Sequence, residues 1–445
     1  MQIIAQQALL PEGWAEGVAI TVQDGLIASV APAGPGAAAN AGTVVPGMAN
    51  LHSHAFQRGF AGLTEQRGAA RDSFWTWREM MYRFALQLDP DGAQAIAEMA
   101  YVEMLEAGFT RVGEFHYLHH APDGRPFDDR AEMSARIFAA ADATGLSLTH
   151  LPVFYARGGF GPQPATEGQR RFLNGVDGFV DLVRRCDAMA TRPGDVVGYA
   201  PHSLRAASKG DLMALTAALT DRKVHIHIAE QVKEVEDCLA FSGSRPVDWL
   251  FDHMEVTPDW CLIHATHLSE DEVTRMAKSG AVAGLCPVTE ANLGDGIFAG
   301  RDFLSAGGRF GIGTDSNVQI GLAGELQALE YSQRLSLRER NVLTPVPGST
   351  GEQLFTAALA GGAQALGAPE PVIAVGAPAD LVALEDPFDL GTGGAQTLDR
   401  WIFGRDIRVR DVWVRGAHLV QDGRHRARDA IAQRYGQVVR AVLAQ

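Results

Sequence analysis

Residues 44–58 read VVPGMANLHSHAFQR, an apolar run that ends in His52-Ser53-His54. Side chains along a strand repeat with period two, so both imidazoles face one side. The same kind of run recurs down the chain. TRVGEFHY (110–117), LSLTHLPVFY (146–155), VVGYAPHS (196–203), KVHIHIAE (223–230), WCLIHATH (260–267), AVAGLCPV (281–288) and RFGIGTD (309–315) are its counterparts. Amphipathic stretches such as AQAIAEMAYVEMLEAG (93–108) and GDLMALTAALTDR (210–222) lie between them. Strands alternating with helices predict a parallel sheet. Counting the run at 44–58, there are eight candidate strands, the number of a TIM-type (β/α)8 barrel.

The flanking sequence is different. GVAITVQDGLIASV (17–30) alternates around Asp24-Gly25, a hairpin signal, and APAGPGAAANAG (31–42) reads as a loop. Beyond about residue 370 the chain turns β-like again in GAPADLVALE (376–385) and IRVRDVWVRGAHLVQDG (407–423), then closes on a helical stretch. The expected organisation is an α/β fold: a barrel over residues 48–369, flanked by a small β-sandwich assembled from 1–47 and 370–445.

Composition narrows the class. Hydrophobic residues at 46% and charged residues at 20% of 445 exclude a disordered chain and a coiled coil. A net charge of −15 argues against a nucleic-acid-binding surface. The four cysteines, 186, 238, 261 and 286, are scattered, which argues against a disulfide scaffold or an all-cysteine zinc site. No basic segment opens the chain and no stretch of about 18 apolar residues occurs. A soluble, cytoplasmic protein with no membrane partner is expected.

In a barrel the C-terminal strand ends face the active site. His52 and His54 there can share a metal ion, or can be ordinary polar strand ends. His225 and His227 offer one further ligand between them. Glu230 follows as a candidate proton shuttle, or as a helix-start acid. His264 lies nearer its strand than His267 and is the better site candidate. Asp315 is a candidate ligand or base, or a helix cap. Each element is weak alone; the order of paired histidines, His, His and Asp on separate strand ends is a joint pattern.

VVPGMANLHSHAFQR, HIHIAE, HATH, GTDSN and GAPADLV, in this order over nearly the full chain, resemble the amidohydrolase superfamily. NLHSHAFQRGFAGLTE, GEFHYLHH, APHSLR, HIHIAEQ and CPVTEANLGDG look like its formimidoylglutamate deiminase members. The resemblance implies a metal-dependent hydrolase that converts N-formimino-L-glutamate to N-formyl-L-glutamate and ammonia in histidine degradation. It implies a homodimer with one zinc ion per subunit, held by His52, His54, His227 and Asp315. Nitrogen and oxygen donors of this kind also accept iron or another divalent ion. Glu230 and Asp315 would accept the proton of the attacking water, with Glu230 as the shuttle, and His264 would orient or polarise that water. Binuclear members use a bridging Lys on the fourth strand; VVGYAPHSLR has none, and Lys209 lies beyond it, so one metal is expected.

The implied substrate is a dicarboxylate amidine, and Arg grips carboxylates in bidentate fashion. Arg78 in FWTWREM and Arg205 are the candidates, with Gln57, Tyr117 and His202 as further substrate contacts. The alternative for Arg78 is an exposed helix position. His116, His119 and His120 form a rival cluster, read as solvated loop residues with a second metal site as the other possibility. His150, His253, His418 and His425 have no partner motif and are read as structural or surface. Phe74, Trp75, Trp77 and Tyr82 suggest a helix against the barrel mouth, or a lid. Two other functions share parts of this pattern: a metal-dependent deaminase of a nucleobase or related heterocycle, and a silent scaffold that keeps only the fold.

Overall fold

A computed structural model describes residues 1–67, 73–404 and 406–444. Four strands come first: β1 (Gln2–Leu10), β2 (Gly13–Gln23), β3 (Leu26–Pro32) and β4 (Ala41–Pro46). Asp24 and Gly25 join β2 to β3 with φ of 50° and 80°, the two positive values a tight hairpin turn requires.

Then follow the parallel strands. β5 (Met48–Ser53), β6 (Phe109–His116), β7 (Ser147–Phe154) and the short pieces β8 (Val196–Val197) and β9 (Ala200–Pro201) make one set. β10 (Val224–Ile228), β11 (Trp260–His264), β12 (Val282–Leu285) and β13 (Arg309–Ile312) make the other. Two seams join the sets. Tyr199 pairs with Val224 and Ser203 with His227 on one side; Ser53 pairs with Asp315 on the other. With β8 and β9 taken as one interrupted strand, the result is a closed eight-stranded barrel. Helices cover it, which is why every residue of β6 and β7 is buried on both faces.

The helix Thr350–Leu366 lies along β13 and β5 and closes the barrel floor with its last residues. The Leu366 carbonyl accepts from Thr149 Oγ1 at 3.0 Å, and the Ala365 carbonyl meets His225 Nε2 at 2.9 Å. Ala365 and Leu366 pack with Ala49, Leu51, Cys261, Ile263 and Val282. The floor is therefore largely apolar, with its polar side chains Thr149 and His225 tied to helix carbonyls.

After the barrel come β14 (Leu381–Glu385), β15 (Arg408–Val414), β16 (Ala417–Gln421) and β17 (Arg424–His425). They join the first four strands in a single sheet ordered β17-β16-β15-β14-β4-β1-β2-β3. Only the β1/β4 pair is parallel. The sheet curls until Leu26 bridges Pro378, enclosing Ile3, Ile20, Val44, Leu381 and Trp413. The closing helix Arg428–Leu443 packs on the helix Pro90–Glu106 through Met99, Val102 and Ile431.

Glycines let the floor helix approach so closely. A Cβ on Gly361 would collide with the Phe310 carbonyl of β13, and one on Gly311 would lie 2.8 Å from the Gly362 nitrogen. Gly361→Ala is expected to destabilise the fold by about 3 kcal/mol, the upper part of the overpacking range. Thermal unfolding of the variant checks it; an unchanged midpoint would show that the contact yields.

Candidate active site

Separate strand ends deliver five side chains to one point. His52 and His54 come from the end of β5, where pairing with β6 slips between Asn50 and Ser53. Such bulges re-aim side chains beside active sites. His227 comes from β10 and His264 from the end of β11. Asp315 follows β13 and is locked to β5: the His54 amide donates to the Asp315 carbonyl and the Asp315 amide to the His52 carbonyl, both at 2.9 Å. Beneath them Asn50 Nδ2 donates to Thr314 Oγ1 at 2.7 Å, Thr314 Oγ1 to Asn317 Oδ1 at 2.6 Å, and Asn317 Nδ2 to Ser53 Oγ at 3.1 Å. His225 and His227 both face inward, as their spacing requires. His225 lies two residues lower and is bound to the floor, so only His227 reaches the mouth.

The donor atoms are close. His54 Nε2 is 3.2 Å and His52 Nε2 3.5 Å from Asp315 Oδ1, and His52 Nε2 is 3.0 Å from His227 Nε2. His54 Nδ1 lies 2.9 Å from the Phe115 carbonyl, which can only accept, so that nitrogen carries the proton. The lone pair of His54 Nε2 then points at a carboxylate oxygen. Burial pushes His52 down to about 3, against the Asp315 carboxylate beside it that favours its charge, and pushes His227 well below the ordinary range. Both imidazoles are thus neutral, the form that ligates metals. Burial would raise Asp315, but the His52 and His54 rings packed against it outweigh burial and hold it well below the usual carboxylate range. Lone pairs turned on one another repel unless a cation lies among them. This donor set fits one divalent ion, and His52 with His227 and His264, or with His54 and Asp315, falls within metal-ligand spacing.

Above this point lies a narrow cavity of about 40 Å3. His54, His227, Glu230, His264 and Asp315 form its reactive end. Glu230 Oε1 is 3.9 Å from His264 Nε2, and Glu230 Oε2 is 3.7 Å from Arg205 Nη2. Burial pushes the Glu230 carboxyl up, with the cationic forms of His264 and Arg205 opposing. His264 moves the other way: burial would lower it, but Glu230, Glu290 and Asp315 outweigh burial and raise it to about 10.

Gln57, Arg78, Tyr117, His202 and Arg205 all line the same cavity. The helix Phe74–Ala85 presents Phe74, Trp77, Arg78, Met81 and Tyr82 to it, so Arg78 is no exposed helix residue. The Arg78 and Arg205 guanidiniums flank one indole, at 4.6 Å and 6.0 Å from the centre of the Trp75 ring. Arg78 Nε and Arg205 Nε and Nη2 are buried with no hydrogen-bond partner. Gln57 Nε2 donates to the Tyr117 hydroxyl at 2.7 Å, leaving Gln57 Oε1 unpartnered. His202 Nδ1 meets Ser203 Oγ at 3.0 Å, and burial, with Arg205 beside it, holds the ring well below its ordinary pKa. The cavity therefore pairs a cluster of metal donors with two cations that have unspent donors.

One reading is corrected. His116, His119 and His120 are buried, not solvated. His119 Nε2 meets the Val153 carbonyl at 2.8 Å and His120 Nε2 the Leu173 carbonyl at 2.7 Å. Among the described residues they join no metal-spaced group. His150 and His425 are buried as well. Other residues carry no role in the sequence reading yet sit at the site. Glu290 Oε1 is 3.3 Å from His264 Nδ1, Glu234 Oε2 accepts from the Glu230 amide at 3.1 Å, and Asp295 accepts from Gln231 Nε2. Glu290 and Asp295 both lie in CPVTEANLGDG, so the motif was visible although the contacts were not.

The amidohydrolase family model matches residues 43–418, and the model of the N-terminal domain of formimidoylglutamate deiminase HutF matches residues 1–43. The chain belongs to the amidohydrolase family. Its relatives include formimidoylglutamate deiminase of Pseudomonas aeruginosa, 51% identical over 99% of each chain. The 8-oxoguanine deaminase of the same organism is 26% identical over 71% of each. A crystal structure of an amidohydrolase from Brucella melitensis superposes with a TM-score of 0.97, 55% identity and 99% of each chain covered. An adenosine deaminase from Xanthomonas campestris with bound zinc, at 21% identity and a TM-score of 0.81 over 100% of this chain and 98% of its own, shares the fold.

Burial, with His119 beside it, pushes His150 down to about 3. In the unfolded chain its pKa is about 6.5. Stability from this group is therefore complete above pH 6.5 and drains away as pH falls toward 3, by about 1.4 kcal/mol per unit. Thermal unfolding between pH 6.5 and 5 is expected to show a smaller loss in His150→Gln than in the wild type. Equal losses would mean that other groups carry the acid sensitivity.

Proposed function

We propose that this chain is a zinc-dependent formimidoylglutamate deiminase, hydrolysing N-formimino-L-glutamate to N-formyl-L-glutamate and ammonia in histidine degradation. The observation that carries the reading is the pair of guanidiniums, half-buried Arg78 and buried Arg205, facing the metal donors across one cavity with hydrogen-bond donors unspent. A dianion has two carboxylates to place, and an acidic protein of net charge −15 needs local cations to hold it. The 51% identity to the Pseudomonas aeruginosa deiminase supports the same substrate.

His52, His54, His227 and Asp315 would hold one zinc ion. When bound, the ion supplies the positive charge that acidifies the attacking water. Glu230 Oε1 accepts the proton of that water and passes it to the terminal nitrogen of the amidine. Its raised pKa suits a group that must both take and give a proton near neutrality. His264 Nε2 lies between Glu230 and Asp315 and polarises the centre under attack. A C–O bond forms at the amidine carbon, the bond to the terminal nitrogen breaks, and that nitrogen leaves as ammonia. Arg78 and Arg205 bind the carboxylates, with Gln57, Tyr117 and His202 as neutral partners. The enzyme would work as a cytoplasmic homodimer, an inference from family resemblance. Among the described residues no helix is long and apolar enough to cross a membrane.

Ammonia release from N-formimino-L-glutamate, guanine, cytosine and adenosine tests the reading. Only the first should turn over, chelation should stop it, and zinc should restore it. Turnover of a heterocycle alone would make the chain a nucleobase deaminase, and the absence of any metal-dependent turnover would leave a scaffold.

Arg205→Met is expected to raise KM for N-formimino-L-glutamate with zinc content unchanged. Losing a charged hydrogen-bonding partner costs on the order of 1.5–3 kcal/mol, or about 10- to 100-fold. Unaltered kinetics would remove Arg205 from substrate binding.

A further inference from the structure

We propose that Glu290 is the positioning residue for His264: its carboxylate holds the imidazole with the proton on Nδ1 and Nε2 turned to the reacting centre. Glu290 is buried, and it stands behind His264 rather than on the cavity wall. Its Oε1 lies 3.3 Å from His264 Nδ1 and accepts from the Cys286 amide at 2.9 Å. A carboxylate oxygen only accepts, so the proton between Glu290 and His264 belongs to Nδ1. With Nδ1 tied back, Nε2 faces Glu230 Oε1 and Asp315 Oδ2, each at 3.9 Å.

The support is rigid at both ends. His264 and Ala265 take left-handed φ values of 66° and 47°, which swing the imidazole inward at the strand end. Glu290 sits in the helix Pro287–Leu293, and its carbonyl accepts from the Asp295 amide at 2.9 Å. That helix is anchored in turn where the Val288 amide donates to Glu325 Oε2 at 2.9 Å. Without an acceptor at the Glu290 Oε1 position the ring is free to turn, carrying Nε2 away from the reacting centre. In serine proteases a buried carboxylate behind the catalytic histidine holds the imidazole in orientation in the same way.

The kinetic arm of the test rests on the deiminase reading; the spectroscopic arm does not. Metal-loaded Glu290→Gln and Glu290→Leu are compared with the wild type. In the Gln variant the Cys286 N–H keeps the amide oxygen, not the amide nitrogen, at the accepting position, so the hydrogen bond from Nδ1–H survives and only the charge is lost. Supporting groups of this kind are worth about 10- to 100-fold. The Leu variant should lose about 100-fold in kcat and the Gln variant about 10-fold, both with KM within twofold and metal content unchanged. In 15N spectra of histidine-labelled protein, the His264 signals, assigned by their loss in His264→Gln, should show a hydrogen-bonded Nδ1–H in the wild type and the Gln variant. That signature should disappear in the Leu variant. A kcat within twofold of wild type in both variants overturns the proposal, as does an unmoved His264 Nδ1–H signal in the Leu variant. A loss of metal that parallels the loss of kcat overturns it too, because Glu290 would then be merely structural. Should the Leu variant fail to fold, the Gln variant decides: a kcat within twofold of wild type, or a His264 without Nδ1–H, overturns the proposal. Failure of the deiminase reading shows separately, as wild-type protein that releases no ammonia, and the 15N measurement still decides the role of Glu290.

Discussion

Two backbone hydrogen bonds join the end of β5 to the turn after β13: His54 N–H to the Asp315 carbonyl, and Asp315 N–H to the His52 carbonyl. They close the barrel, and they also bring three of the four candidate metal ligands into register. Fold closure and site assembly are therefore one event. The Asn50–Thr314–Asn317–Ser53 network spans the same seam and pairs these four buried polar side chains with one another. A half-satisfied network at this depth would cost more than an apolar one, because unpaired polar groups are most expensive where the dielectric is low. The seam is thus polar for a reason that packing alone does not supply.

Charge is sorted along the cavity in a way the whole-chain total conceals. The net charge is −15, yet the wall contributed by Phe74–Ala85 and the segment after β9 carries two guanidiniums, Arg78 half-buried and Arg205 buried. Both lie against the face of Trp75, whose quadrupole offers each a share of negative potential without neutralising it. Arg205 also has Glu230 and Glu234 at 3.7 and 3.8 Å, beyond hydrogen-bond distance, so its donors remain free. The cations are tolerated in burial and still available to a ligand. That combination suits a doubly charged substrate and gives no advantage to a neutral ring.

Much of this was legible because barrel strands in this chain end in their chemistry. HSH, HIH, IH and TD each terminate an apolar run, and strand periodicity settles which way the paired histidines face. What the sequence leaves hidden depends on partners remote in the chain. Periodicity places His225 and His227 on one side, but depth decides their roles, and depth is set by Ala365 at the end of a distant helix. His119 and His120 look like a wet loop because their acceptors, the carbonyls of Val153 and Leu173, belong to segments far downstream. VVGYAPHS reads as one strand; the structure breaks it into β8 and β9, with Gly198 reaching back to the His150 carbonyl. Glu290 escapes because an acid in a short helix carries no local mark of what it faces.

Backbone conformation supplies the last part of the design. Ala229, His264, Ala265, Asp315 and Asn317 all have left-handed φ between 44° and 66°, and none is glycine. Such conformations disfavour L-residues by roughly 1–2 kcal/mol each. They cluster where β10, β11 and β13 give way to the loops of the mouth. A regular strand continuing past these points would carry its side chains alternately in and out, and could not turn neighbouring donors toward one centre. The left-handed kink lets the chain leave the sheet while the imidazole or carboxylate stays inside. Strain held in place by the surrounding barrel is a mark of a functional constraint, and here it falls on the residues whose convergence the proposed chemistry requires.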